Sequence, residues 1–303
     1  MLILEMMNRS ICYTTIALGY EYRQHAKNLA GDIEAMSPQI PFVILTDRPK
    51  EFGGFKNVIA LKHRIQSVGL YHDKLFCFGE CLEKYETVIF LDADCRMFGD
   101  FSATRNWKEG LTAISCCDLL RQVTLVCKDK EIGNMQRQLT LAACAELDID
   151  MEKCKFVFEG IFVLSRCGQS GSDFVNTWKQ LRDHFELHGL YDSEGISIGL
   201  AAQKSGLQVY HYKSNYSDTS EHLNLNTVYK DKLFYKYLLS GDDAGLSEHL
   251  CQKLTECDSM RKKTAQIPFH RKIEKKIMYP FLKSIRALRL HINKKKTWSF
   301  NRT

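Results

Sequence analysis

The sequence has no C-x-x-C pair, no run near twenty apolar residues, no internal repeat and no glycine-rich phosphate loop, and each absence closes a class. Twelve cysteines without metal-ligand spacing argue against a zinc site and for small thiols packed as core hydrophobes; Cys77 and Cys81 are four apart and Cys116 and Cys117 are adjacent. Lacking about 20 consecutive apolar residues, the chain offers no membrane-spanning helix. Residues 1–7 contain Glu5 and no small-residue cleavage site, so a reducing cytosol with free thiols is the expected compartment. The exit of the first expected strand, Ala17-Leu18-Gly19-Tyr20-Glu21, does not supply the basic glycine-rich loop that a sugar-1-phosphate nucleotidyltransferase would need.

What is present is a 303-residue chain, 45% hydrophobic and 26% charged, which suits one large globular domain or two small ones. Its net charge of +6 is unevenly placed. Residues 261–303 hold 14 of the 42 basic residues and one of the 36 acidic ones, so the tail carries +13 and the preceding body −7. Along the body, β-rich or continuous apolar runs at 10–17, 41–46, 57–61 and 87–91 alternate with helical periodicity at 22–36 and 73–84. Pro38 and Pro41 end the first helix, and Asp47-Arg48-Pro49 ends the second strand. Such alternation predicts an α/β fold with a mostly parallel sheet covered by helices on both faces. Further strands are expected at 111–115, 155–164 and 207–212, and helices at 134–146, 172–188 and 193–205. The polar region 214–258 is expected to be an ordered loop with a helix near 229–239.

The acid pair in Leu91-Asp92-Ala93-Asp94 follows a buried-type strand, and in open α/β sheets ligands bind beyond the carboxyl ends of the strands. Two carboxylates two residues apart can share a hard divalent cation that also meets a diphosphate, although a solvated turn presents the same residues. With the preceding Asp73-Lys74-Leu75, this segment resembles the GT-A glycosyltransferases that use nucleotide sugars, especially the glycogenin and bacterial lipopolysaccharide galactosyltransferase type, family 8. The resemblance covers 11–100 well and 156–211 loosely. It implies a Rossmann-like GT-A fold for residues 1–260, with a nucleotide-binding half at 1–115 and an acceptor-side half at 116–260. It implies Mn²⁺ or Mg²⁺ on Asp92 and Asp94, a nucleotide-sugar donor, UDP-linked, and transfer of a hexose to a glycan or glycolipid acceptor.

The same resemblance assigns Thr14, Thr15 and Tyr20 to the uracil and ribose, Asp47 to the nucleotide, and Lys74 to the donor phosphates or sugar. Asp92 is also placed for the ribose, and Arg96 for phosphate. Phe158-Glu159-Gly160 resembles the strand beside the sugar, with Glu159 where many members carry Asn-Ser or Asn-Ala; an acid there is a sugar contact or a general base, which leaves retention or inversion open. Asp192-Ser193-Glu194 resembles the acid that opens a helix facing the anomeric carbon. Either Asp192 or Glu194 fits, and helix capping accounts equally for both. His211 corresponds to a third metal ligand, with His222 in reserve, and Lys213 to a diphosphate contact. A catalytically inactive module of the same fold, binding nucleotide sugar or membrane, is the alternative.

On a helical wheel Ile273, Ile277, Phe281, Ile285, Leu288 and Ile292 of the tail fall within about 120°, with Lys272, Lys275, Lys276, Lys283, Arg286 and Arg289 opposite. Pro280 is expected to open a second helical segment. A basic amphipathic helix with Tyr279 and Trp298 suits an anionic membrane surface, which would make the protein cytoplasmic and peripheral on the inner leaflet. Nucleic acid is disfavoured as a partner, because a phosphate-binding arm gains nothing from an isoleucine stripe. A helix packed on the body is the alternative. Truncation before Ile267 is expected to release the protein from anionic liposomes and to leave soluble-donor binding intact.

Overall fold

The computed structural model describes residues 11–97, 107–114, 116–126, 130–211, 234–236 and 279–300. The strands are β1 (Ile11–Ala17), β2 (Phe42–Thr46), β3 (Val58–Lys62), β4 (Thr87–Leu91), β5 (Cys95–Met97), β6 (Gly110–Ala113), β7 (Cys116–Asp118), β8 (Lys155–Val157), β9 (Ile161–Ser165), β10 (Val209–His211) and β11 (Phe234–Lys236). The helices that matter are α1 (Tyr20–Met36), α2 (Leu75–Cys81), α3 (Lys130–Leu147), α4 (Gly168–Leu187), α5 (Glu194–Lys204) and α6 (Tyr279–Phe300).

Seven strands form one sheet in the order β10-β6-β9-β4-β1-β2-β3. All run parallel except β9, which pairs antiparallel with both β4 and β6. This is the mostly parallel, helix-flanked α/β architecture expected. Its strands read as continuous apolar runs because both faces are covered. Along β1, β2, β4 and β9, alternate side chains enter two separate cores. Tyr13, Phe42, Ile44, Ile89 and Leu91 join Ala26, Leu29, Ala30 and Ile33 of α1 on one face. Cys12, Val43, Val88, Phe90 and Phe162 join α2, α4 and α5 on the other. There Phe78 stacks on Phe162 at 4.9 Å between centroids, and Trp178 meets Phe174 edge-on at 5.7 Å, both favourable ring geometries. All nine described cysteines are free thiols, and seven of them are buried.

Several expectations need correction. The single strand expected at 155–164 is two. β8 pairs with β7 in a separate ribbon, a turn at Glu159-Gly160 follows, and β9 then enters the main sheet. The helix expected near 229–239 is a strand where it is described: β11 lies antiparallel to β5, so pairing at that edge overrides a weak helical pattern. Residues 212–233, 237–278 and 301–303, which include Lys213, His222 and most of the tail's first segment, lie outside the described residues. Pro280 stands in the first turn of α6, where its missing N–H costs nothing.

The order of strands positions the site. From β1 the chain passes through α1 to β2 on one side, whereas β4 lies on the other side of β1. The crevice at the carboxyl ends of β1 and β4 is therefore the switch point at which such sheets bind ligands.

Candidate functional site

Asp92 and Asp94 stand at that crevice, in the turn between β4 and β5. The turn is fixed from both sides: Asp92 N–H donates to the Gly160 carbonyl at 2.8 Å, and Cys95 N–H donates to the Asp92 carbonyl at 2.9 Å. The aspartate pair is thus held against the Glu159-Gly160 turn.

Lys74 occupies the centre of the site. It is 7% exposed, and its ammonium lies 3.0 Å from Asp92 Oδ1 and 3.7 Å from Glu194 Oε1. It donates to the Glu159 carbonyl at 3.3 Å and sits 5.6 Å from the centre of the Phe90 ring. Four positions spread along the chain, 74, 92, 159 and 194, converge on one buried ammonium. Glu194, 5% exposed, opens α5. Burial pushes its carboxyl up to about 7 against the pull of Lys74, with Glu159 and Asp92 adding to the rise. A carboxyl of that kind holds or releases a proton near neutrality.

Glu194 reaches this position because α5 lies directly on the backbone of β8. A Cβ at Gly199 would stand 1.7 Å from the Lys155 carbonyl oxygen, and one at Gly195 would stand 2.6 Å from the Phe156 ring. Glycine at both positions permits the close approach. The start of the helix is fixed by a buried relay. Trp178 Nε1–H donates to His72 Nδ1 at 3.1 Å, and His72 Nε2 faces Ser193 Oγ at 3.2 Å. Indole nitrogen only donates, so Nδ1 accepts and the ring proton lies on Nε2, directed at Ser193. Burial, with Arg182 and Lys74 nearby, pushes His72 down to about 3, so the ring stays neutral. His72, Trp178 and Ser193 carry no sequence signal of this role; only the fold brings them together.

At the β1 exit, Tyr20 is exposed in the first turn of α1. The neighbouring Tyr22 is half exposed, yet its phenol is pushed up to about 12, first by partial burial and then by the negative charges of Asp94 and Glu21. Thr14 and Thr15 are fully buried, and Thr14 donates to the Val43 carbonyl; their side chains pack inside the sheet and do not line the crevice. Asp47 receives the Arg23 guanidinium at 2.8 and 2.9 Å and the Gly19 N–H at 3.2 Å, so its carboxylate ties β2 to the start of α1. Arg96, expected near phosphate, holds Asp32 of α1 through two bonds of 2.6 and 2.7 Å. Asp192 is exposed, whereas Glu159 is half-buried in its turn.

The donor set suits a hard cation in part. Two carboxylates at an open crevice fit an ion that keeps waters and takes substrate phosphate oxygens. No group of three or more His, Cys, Asp or Glu able to hold a metal occurs among the described residues. His211 ends β10 at the same end of the sheet, but β6 and β9 intervene, three strand spacings or roughly 14 Å from β4. It does not join the aspartates.

No family model and no curated protein matches the sequence. Similar solved structures include an active-site mutant of LgtC, 14% identical with a TM-score of 0.48, covering 86% of this chain and 98% of that one. Another is galactosyltransferase LgtC in complex with donor and acceptor sugar analogs, 14% identical, TM-score 0.46, with the same coverage. A third is the apo structure of WbbM, a bifunctional glycosyltransferase, 9% identical, TM-score 0.47, covering 89% of this chain and 52% of that one.

Proposed function

We propose that the chain is a glycosyltransferase that moves a hexose from a nucleotide diphosphate sugar, UDP-linked, to a glycan or glycolipid acceptor. The observation that carries this reading is the convergence at the β1/β4 crevice of Asp92, Asp94, buried Lys74 and buried Glu194. Asp92 and Asp94 are the residues that would hold Mn²⁺ or Mg²⁺, and a cation bound there supplies Lewis-acid stabilisation of a departing diphosphate. Lys74 brings a second positive charge to the same place and is poised to exchange one of its carboxylate partners for a donor oxygen. Among the acids expected to act, Glu194 is the one whose burial and neighbours prepare it for proton exchange near neutral pH. Glu159 shapes its field, and Asp192 is exposed. Tyr20 and Tyr22 border the nucleotide side.

The second half of the proposal is peripheral attachment to the cytoplasmic face of a membrane. Phe281 and Leu288 of α6 are 59% and 61% exposed, and Leu282 and Ile292 are exposed beside them. No helix among the described residues is long and apolar enough to cross a membrane. An exposed apolar stripe on a basic helix fits an anionic leaflet. One observation favours an inactive binding module instead: Asp92, an expected metal ligand, already has Lys74 as its partner. A screen of nucleotide sugars for Mn²⁺-dependent hydrolysis separates the two. The transferase reading expects slow hydrolysis of one donor without acceptor, and nucleotide binding with no turnover of any donor supports the module.

A further inference from the structure

The inner face of α6 does not simply rest on the body. The helix packs on α4, and two of its basic side chains reach past α4 to the loops that lead into the site. Arg286 donates from Nε and Nη2 to the Val68 carbonyl, at 3.3 and 3.1 Å. The Lys283 ammonium stands 4.3 Å over the Tyr191 ring, within cation–π range. The two targets are joined to each other: a Cβ on Gly69 would lie 2.6 Å from the Tyr191 carbonyl oxygen and 2.9 Å from its Cβ.

Each target also continues into a site residue. The N–H groups of Val68 and Gly69 both donate to Glu186 of α4, at 2.8 and 3.1 Å. Those of Gln66 and Ser67 donate to Asp73, at 2.9 and 2.6 Å, as His63 pairs with the same carboxylate at 2.8 Å. Asp73 is the residue before Lys74. Tyr191 lies two residues before Ser193, which His72 holds, and three before Glu194. Val68 is therefore gripped on both sides, its N–H by Glu186 and its carbonyl by Arg286. Both bonds to the carbonyl are charge-assisted, since their donor is a guanidinium.

We infer that α6 is a working part of the site, in which Arg286 and Lys283 are positioning residues that fix the 66–70 and 190–193 loops and, through them, Lys74 and Glu194. Describing the positioned groups as a donor site rests on the function proposed above; the positioning itself does not. The tail is then more than an anchor. Its outward face offers the apolar stripe and its inward face sets the geometry of the crevice, so removing it disturbs donor binding, contrary to the expectation from sequence.

The test uses the full chain carrying Arg286→Ala, Arg286→Lys, Lys283→Ala, or Arg289→Ala as an exposed control of equal charge on the same helix. Hydrogen exchange is followed by peptide, and UDP binding with Mn²⁺ is measured alongside. Arg286→Ala is expected to speed exchange about tenfold in segments 66–70 and 190–194 while leaving the β1, β2 and β4 peptides at their wild-type rates. UDP affinity falls by a similar factor, Arg286→Lys recovers part of both effects, and Arg289→Ala changes neither. Unchanged exchange in those two segments, or acceleration spread evenly over the chain, overturns the inference. If the wild type binds no UDP while the segment-specific effect is present, the positioning stands and the donor-site reading falls.

Discussion

Replacing Glu194 by Gln isolates the cost of its buried charge. Gln has nearly the shape of the protonated acid and never ionises, whereas the folded protein raises the Glu194 carboxyl from an ordinary 4.5 to about 7. A carboxyl that binds its proton more tightly folded than unfolded contributes stability fully below pH 4.5, and that contribution is lost as pH rises through about 7. At roughly 1.4 kcal/mol per pH unit, the interval corresponds to at most about 3–4 kcal/mol. Urea unfolding of wild type and Glu194→Gln in metal-free buffer, from pH 4.5 to 8.5, reads it directly. The two stabilities are expected to be close at pH 4.5 and to diverge through pH 7, with the variant more stable at pH 8.5 by up to that amount. Glu186, pushed up to about 7 chiefly by burial, titrates in both proteins and drops out of the difference. A gap that does not change with pH, or a variant less stable at pH 8.5, would refute the account of Glu194 as a carboxyl whose charge is costly where it is buried.

Gly199→Ala places a Cβ 1.7 Å from the Lys155 carbonyl, so α5 must shift; thermal unfolding should show a loss of about 1–3 kcal/mol, with activity falling further because Glu194 moves with the helix. Gly31→Ala is the converse case, since that exposed helical position has nothing within 4 Å of the added carbon, and it should stabilise by about 0.5–1 kcal/mol in the same assay. Phe281→Ser with Leu288→Ser removes two exposed apolar side chains; co-sedimentation with phosphatidylserine vesicles should weaken more than about tenfold, with hydrogen exchange in 66–70 unaltered.

The sheet was legible because its strands are buried on both faces, so 41–46 and 87–91 read as unbroken apolar runs with turn residues behind them. The same property hid the orientation of Thr14 and Thr15. In a strand covered on both sides, periodicity does not tell a residue facing the crevice from one sealed in the core. The aspartate pair was legible from the strand before it, and the opening of α6 from Pro280. The break between β8 and β9 was not, since Phe156 to Phe158 and Ile161 to Leu164 look like one strand and only Glu159-Gly160 marks the turn. The partners of Asp47 and Arg96 lie 24 and 64 residues away in sequence. His72 meets Trp178 and Ser193 across more than 100 residues, and Arg286 meets Val68 across 218. Such contacts follow from packing, and local pattern carries no trace of them.

The central claim is that Asp92 and Asp94 receive a cation and a nucleotide diphosphate at the β1/β4 crevice. Calorimetric titration of UDP into the full chain, with and without Mn²⁺, and into Asp94→Asn, tests it most directly. The account predicts saturable binding that depends on Mn²⁺ and weakens at least about tenfold in Asp94→Asn, the loss expected for one charged ligand. UDP binding that is indifferent to Mn²⁺ and to the substitution, or no binding at all, would contradict it.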